Sequence, residues 1–173
     1  MGWPNLVSVV RIALAPLLVG LILVGDRRAS LIAAAVFIAG AATDRLDGYL
    51  ARRFASATRT GAWLDPLADK LFTLSPVVAL AAVRRFPLWA AAIFLVREAA
   101  VSLLRARLGA RGHSMPATPL AKWKTATQML AILLYILPLD PAADPLRLGV
   151  LAIAVALTLW SGAEYFVRRA PAP

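Results

Sequence analysis

Long uncharged runs alternate with short polar connectors along this chain. Four runs carry no charge, at residues 29–43, 71–83, 125–139 and 148–163, and a fifth, 6–25, is interrupted only by Arg11. With its flanks, each run can cross a hydrocarbon core of about 30 Å, because a helix rises about 1.5 Å per residue. The pattern predicts an all-α, six-helix bundle with spans at about 5–25, 29–54, 60–83, 87–108, 119–138 and 146–167.

Composition supports a polytopic membrane protein that forms a single domain over residues 1–173. Hydrophobic residues make up 61% of the chain and charged residues only 16%, and the mean hydropathy is +0.74. Such values lie far outside the range of soluble domains. The first run lacks a basic start and a cleavage site, so we expect a permanent helix there. The chain has no cysteine, so a metal would need oxygen ligands or the one histidine, His113, which we expect to be a solvated loop residue.

The net charge of +10 does not indicate nucleic-acid binding, because the basic residues flank the apolar runs and face lipid head groups. The positive-inside rule therefore assigns the more basic side to the cytoplasm, together with both termini. We expect a multi-pass protein of the cytoplasmic (inner) membrane. The cytoplasmic basic set is Arg52, Arg53, Arg59, Arg105, Arg107, Arg111, Lys122, Lys124, Arg168 and Arg169.

Four carboxylates stand where the second and third apolar runs meet a short connector. Asp44 and Asp47 are three residues apart, and Asp65 and Asp69 are four apart. On helices these spacings put each pair on one face. The helices return antiparallel, so the acids can converge just inside the cytoplasmic boundary, where they would repel one another. Two Mg²⁺ or Mn²⁺ ions would balance this charge with the hard oxygen ligands they prefer.

Small residues accompany these acids. Gly48 and Ala51 follow Asp44 on the same helical face, and Gly61 lies four residues before Asp65. Small side chains leave room for a bulky ligand, whose phosphate Arg52 could reach. The alternative is a solvated loop in which the acids pair with Arg45, Arg52, Arg53, Arg59 and Lys70. That alternative suits a single acid better than four at helical spacing.

The full pattern has eight fixed residues over 26 positions: Asp44, Asp47, Gly48, Ala51, Arg52, Gly61, Asp65 and Asp69. It resembles the motif of the CDP-alcohol phosphotransferases, membrane enzymes of phospholipid synthesis. The resemblance implies a six-helix bundle, usually a homodimer. It also implies a dinuclear metal centre on Asp44, Asp47 and Asp65, with Asp69 at the metals as the general base. Asp44, Gly48, Arg52 and Gly61 would then border the CDP part of the donor.

Two further stretches resemble the phosphatidylglycerophosphate synthases of that family. One is "NLVSVVRIALAP" at 5–16, with Ser8 where Thr is more usual. The other, at 96–129, contains Lys122, Lys124, Thr125 and Gln128, with Ala121 where Gly is common. The resemblance implies phosphatidyl transfer from CDP-diacylglycerol to sn-glycerol 3-phosphate, with release of CMP. The cations expected to bind the acceptor phosphate are Arg11, Arg97, Arg105, Lys122 and Lys124.

Other functions remain as alternatives. The same chemistry could use phosphatidylglycerol, as in a cardiolipin synthase, or inositol phosphate or serine as the acceptor. The basic set at 97–124 weighs against a lipid acceptor but does not separate two phosphate-bearing ones. A small ion transporter could also place acids in a bundle. Transporters tend to bind near the midplane and to show repeated halves, whereas these acids lie at one side and no repeat is visible.

Overall fold

The structure is a computed structural model of the 173-residue chain. It describes the backbone of residues 3–54, 61–110, 112 and 118–167, and the side chains of residues 8–43, 67–110, 112 and 118–167.

Within those residues the chain is all-α. The six helices are α1 (Trp3–Val24), α2 (Arg27–Phe54), α3 (Gly61–Ala82), α4 (Leu88–Gly109), α5 (Pro119–Ile136) and α6 (Asp144–Val167), and a short 3₁₀ turn (Pro141–Ala143) precedes α6. The described part contains no strand. Each helix end lies within about two residues of the position predicted from the apolar runs, so the six predicted helices are confirmed as helices.

Local chemistry explains the sharp reversals between helices. Gly25 adopts φ 72°, a left-handed conformation that glycine takes without steric cost, just after α1 ends. Asp26 then accepts a hydrogen bond from the Ala29 backbone N–H at 2.6 Å and so caps the start of α2. Between α3 and α4, Arg84 adopts φ 58°, and Pro87 stands at the N-cap of α4.

The described chain divides into two compact units. The first consists of Met1–Arg85 with Tyr135–Pro138, and the second of Phe86–Leu134 with Leu139–Pro173. In the first unit α1 packs against both α2 and α3. Arg85 fastens this unit by donating to Ser30 Oγ at 3.0 Å and to the Ile136 carbonyl at 3.3 Å. The single-domain organisation over 1–173 stays a prediction.

An aromatic stack joins α2 to α3 in the first unit. The rings of Phe37 and Phe72 lie nearly parallel with centroids 5.5 Å apart, and both side chains are buried. Gly40, one turn after Phe37, leaves the space that the Phe72 ring fills: a Cβ at Gly40 would lie 2.3 Å from Phe72 Cζ. The position of the Phe72 ring against α2 therefore requires glycine at residue 40.

We expect Gly40→Ala to destabilise the first unit. The added methyl overlaps a buried, stacked ring, and overpacking of this kind costs about 1–3 kcal/mol, only partly offset by the roughly 1 kcal/mol by which Ala favours a helix over Gly. Gly20→Ala is the matched control, because a Cβ at Gly20 on α1 meets nothing within 4 Å. Thermal unfolding in detergent should show a lower Tm for the first variant and an equal or higher Tm for the second. Equal Tm values would contradict the packing argument.

In the second unit α4 packs against α6. Val101 and Leu104 of α4 and Tyr165 of α6 form a buried cluster, against which Leu108 and Ala121 also pack. Arg147 holds the turn before α6, donating to the Leu134 carbonyl at 3.1 Å and to Asp144 at 2.9 Å.

One helical segment among the described residues, Pro141–Val167, is long and apolar enough to cross a membrane by itself, with a mean hydropathy of 1.7 over its best window. A shorter apolar segment covers Ser8–Val24. Large apolar side chains are exposed on all six helices, among them Leu23, Ile32, Leu71, Val96, Leu130 and Trp160. Six membrane spans and the orientation of the termini stay predictions.

Candidate functional site

The acid-rich motif lies on two continuous helices. Asp44, Asp47, Gly48 and Arg52 fall on α2, which is helical to Phe54, and Gly61 and Asp65 fall on α3, which is helical from Gly61. The helical backbone supports the premise that residues three and four apart share a face. The side chains of these six residues lie outside the described part of the structure.

Asp69 is the one motif acid whose side chain is described, and it is half-buried on α3. Its neighbour Ala68 is fully buried, and Phe72, one turn later, is the ring that stacks on α2. The packing that fixes α3 against α2 therefore begins one turn from this carboxylate. No group of three or more potential metal ligands occurs among the described side chains, a set that includes only one of the four motif acids.

In the second unit, one carboxylate links two of the predicted phosphate-binding cations. Glu98 Oε2 accepts from Lys124 Nζ at 2.8 Å and from Arg97 Nη1 at 3.2 Å. The side chains of Arg97 and Lys124 are only 10% and 6% exposed, and that of Glu98 is 22% exposed. Removing one charged side chain from this largely buried cluster would leave a buried charge of the opposite sign unpaired, which is energetically costly. The three side chains therefore stabilise one another.

Helix α6 provides the surface on which Arg97 rests. Arg97 Nη2 donates to Ser161 Oγ at 2.9 Å, while the Ser161 hydroxyl donates to the Thr158 carbonyl at 3.2 Å. Gly162 lies beside the arginine stem, since a Cβ there would be 3.4 Å from Arg97 Cγ. The Tyr165 ring completes this surface, with the guanidinium carbon of Arg97 5.8 Å from its centroid.

Tyr165 also holds the second arginine of α4. Arg105 Nη2 donates to the Tyr165 hydroxyl at 2.5 Å, and its guanidinium carbon lies 4.9 Å from the ring centroid. Arg97 and Arg105 are eight residues apart, about two helical turns, so both reach the same ring. The ring is 2% exposed, whereas Arg105 is exposed. One buried aromatic side chain thus positions two guanidinium groups.

The structure brings three of the five predicted phosphate-binding cations into one cluster. Arg97, Arg105 and Lys124 are joined through Glu98 and Tyr165, which leaves two formal positive charges after the carboxylate is counted. A phosphate monoester carries about −1.5 to −2 at neutral pH, so the charges match. Lys122 is exposed on α5, and Arg11 is 6% exposed on α1 of the first unit.

Sequence reasoning did not identify the α6 residues that hold this cluster. Ser161 and Tyr165 are four residues apart, which places both on one helical face. That spacing was the available signal, but it does not reveal which neighbouring helix the face contacts. Glu98 joins α4 to α5 through its ion pair with Lys124.

Comparison with known proteins adds independent information. The family profile for CDP-alcohol phosphatidyltransferase matches residues 1–160. A CDP-diacylglycerol--glycerol-3-phosphate 3-phosphatidyltransferase of Pseudomonas fluorescens is 40% identical over 95% of this chain and 88% of its own length. A protein of the same name from Bacillus subtilis is 36% identical over 94% of this chain and 92% of its own length. A probable phosphatidylglycerophosphate synthase of Mycobacterium tuberculosis is 34% identical over 95% of this chain and 79% of its own length.

Proposed function

Because this chain belongs to the CDP-alcohol phosphatidyltransferase family, we propose that it transfers the phosphatidyl group of CDP-diacylglycerol to sn-glycerol 3-phosphate. The products are phosphatidylglycerophosphate and CMP, and the role is in phospholipid synthesis. The proposal is carried by relatives of this name, which match almost the whole chain. The largely buried Arg97–Glu98–Lys124 cluster agrees with it, because these charges suit an acceptor that bears a phosphate.

The proposed site lies at the cytoplasmic side of an inner-membrane protein with six spans and both termini in the cytoplasm. Large apolar side chains are exposed on all six helices, and this supports a lipid environment. We further propose that the protein is a homodimer, as the family resemblance implies, and that membrane lipids surround it. The proposal includes no nucleic acid.

Divalent cations are part of the proposal, since enzymes of this family depend on them. Asp44, Asp47, Asp65 and Asp69 offer oxygen ligands on two helices, a donor set that fits two Mg²⁺ or Mn²⁺ ions. Bound there, the ions would neutralise the pyrophosphate and the departing CMP. Asp44, Gly48, Arg52 and Gly61 are assigned to the CDP moiety of the donor.

Asp69 is assigned as the general base. It takes the proton of the primary hydroxyl of glycerol phosphate, whose oxygen forms a new bond to the phosphorus that carries diacylglycerol. The bond from that phosphorus to the CMP oxygen breaks at the same centre. Positioning and electrostatics supply most of the rate in phosphoryl transfer, so one base and several fixed charges suffice.

The acceptor's own phosphate needs cations that the donor does not use. Arg97, Arg105 and Lys124 are assigned to it on their geometry, and Arg11 and Lys122 remain candidates from the sequence. A cluster of three cations and one carboxylate favours a phosphate monoester over an uncharged or zwitterionic acceptor. The same chemistry with inositol phosphate as the acceptor is the second candidate, favoured by the same cluster.

The test is a product assay. Purified protein, supplied with Mg²⁺ or Mn²⁺ and CDP-diacylglycerol, is incubated with glycerol 3-phosphate, inositol phosphate, phosphatidylglycerol or serine in turn. The lipid product is identified by mass. We expect phosphatidylglycerophosphate with the first acceptor and at least about tenfold lower turnover with the others, because the site's charges would be unpaired or misplaced. A cardiolipin product, or equal turnover of serine, would contradict the assignment.

A further inference from the structure

Gln128 stands out among the buried polar groups of the second unit. It lies on α5, is 1% exposed, and its side-chain Oε1 is buried without a hydrogen-bond partner in the part of the chain that the structure describes. Buried acceptors are nearly always paired, because an unpaired one forfeits its bonds to water. A buried oxygen of this kind is therefore a candidate contact for a ligand.

The neighbouring hydroxyl groups on α5 are satisfied within the helix. Thr125 donates to the Ala121 carbonyl at 3.0 Å, and Thr127 donates to the Trp123 carbonyl at 2.9 Å. A glutamine oxygen cannot be paired in this way, because it accepts only and the carbonyls of its own helix do not donate. The need of Gln128 Oε1 for an outside donor is thus specific to this position.

Gln128 lies on the same helical face as Lys124, one of the cations assigned to the acceptor phosphate. Lys124, Gln128 and Ile132 follow one another at intervals of four on α5 and are all buried, so they form one inward stripe. At one end of this stripe Lys124 forms an ion pair with Glu98, and at the other end Ile132 is apolar. Gln128 is therefore the polar residue next to Lys124, one turn deeper along the same face.

The spacing along the stripe fits the acceptor. Lys124 and Gln128 are separated along the axis by about 6 Å, which is also roughly the length of a three-carbon phosphate ester. With the phosphate at Lys124, the ester's hydroxyl groups lie near the level of Gln128. In the proposed reaction the primary hydroxyl is the one that reacts, which leaves the secondary hydroxyl for recognition.

We propose that Gln128 Oε1 accepts a hydrogen bond from the secondary hydroxyl of the glycerol phosphate acceptor and so makes the enzyme select a diol phosphate. This inference rests on the proposed function. A site built around a substrate hydroxyl rejects an analogue that lacks it, because its own buried acceptor is then left unpaired. Gln128 is thus a specificity-determining residue, whereas Lys124 supplies charge.

The test compares glycerol 3-phosphate with 3-hydroxypropyl phosphate, which keeps the phosphate and the primary hydroxyl but lacks the secondary one. We expect wild-type protein to prefer glycerol phosphate in kcat/KM by at least about tenfold, and Gln128→Met to reduce that preference to within about threefold. Most of the change should come from slower use of glycerol phosphate. Thr127→Val, which removes a hydroxyl already bonded within its helix, should keep the wild-type preference.

Each result is decisive. If wild type uses both acceptors equally, or if Gln128→Met slows both by the same factor, the role of Gln128 is overturned while the proposed function stands. If wild type makes no lipid product from glycerol phosphate but does from another acceptor, the proposed function falls, and this role with it. If Gln128→Met does not fold, equal use of the two acceptors by wild-type protein still overturns the role of Gln128.

Discussion

Asp69→Asn is expected to lower kcat for CMP release by about 10²–10⁴-fold, the usual contribution of a positioned general base. Asparagine preserves the size of the side chain and one oxygen ligand, but it does not take a proton at neutral pH. The KM values for donor and acceptor should change much less than kcat. The measurement is CMP release from CDP-diacylglycerol at saturating Mn²⁺.

The Mn²⁺ concentration separates the two roles assigned to Asp69. If the carboxylate served only to hold metal, high Mn²⁺ would restore activity to near the wild-type level, and the general-base assignment would be wrong. Asp26→Asn is the matched control, because Asp26 caps α2 through the Ala29 N–H and asparagine caps helices equally well. That variant should keep its activity.

The packing around Asp69 explains why its position should survive the substitution. The buried Ala68 precedes it, and Phe72, one turn later, stacks on Phe37 beside the gap left by Gly40. This contact is apolar and does not involve the carboxylate. A large loss of kcat in a variant with an unchanged Tm would therefore report chemistry rather than folding.

The sequence predicted the helices because their ends are set by local chemistry. Gly25, Pro87 and Pro119 mark three boundaries that the structure reproduces. The small differences also have local causes: α5 ends at Ile136, two residues before the prediction, because the residue before Pro138 disfavours helix. By contrast, the division into two units depends on packing between distant segments, which hydrophobic periodicity does not encode.

The candidate site was predictable to a different extent in its two parts. Helical spacing predicted that Asp44 and Asp47 share one face and that Asp65 and Asp69 share another. This prediction requires only that each segment is helical. The cations were predicted as a charged set, but their selection required tertiary structure: Lys124 is buried against Glu98, while Lys122 is exposed two residues away. Tyr165 joins Arg97 to Arg105 only because α6 packs on α4.

The second large effect is expected for Lys124→Ala, which should raise the KM for glycerol 3-phosphate by roughly 10–100-fold. A charge-assisted hydrogen bond contributes about 1.5–3 kcal/mol, and about 1.4 kcal/mol corresponds to a tenfold change in affinity. The KM for CDP-diacylglycerol should stay within about threefold, because the donor is assigned to other residues. Steady-state kinetics with each substrate varied in turn measures both values.

The carboxylate of Glu98 gives this prediction a second, more specific form. Without Lys124, Glu98 keeps its ion pair with Arg97 but loses one of its two cationic partners. Its negative charge would then repel the acceptor phosphate more strongly. Adding Glu98→Gln to Lys124→Ala should therefore recover part of the lost acceptor affinity, a gain that loss of packing alone does not explain. Arg107→Ala, which removes an exposed cation from α4, is the control and should leave both KM values near wild type. An equal rise in the two KM values for Lys124→Ala would show that Lys124 supports the site as a whole and does not bind the acceptor phosphate.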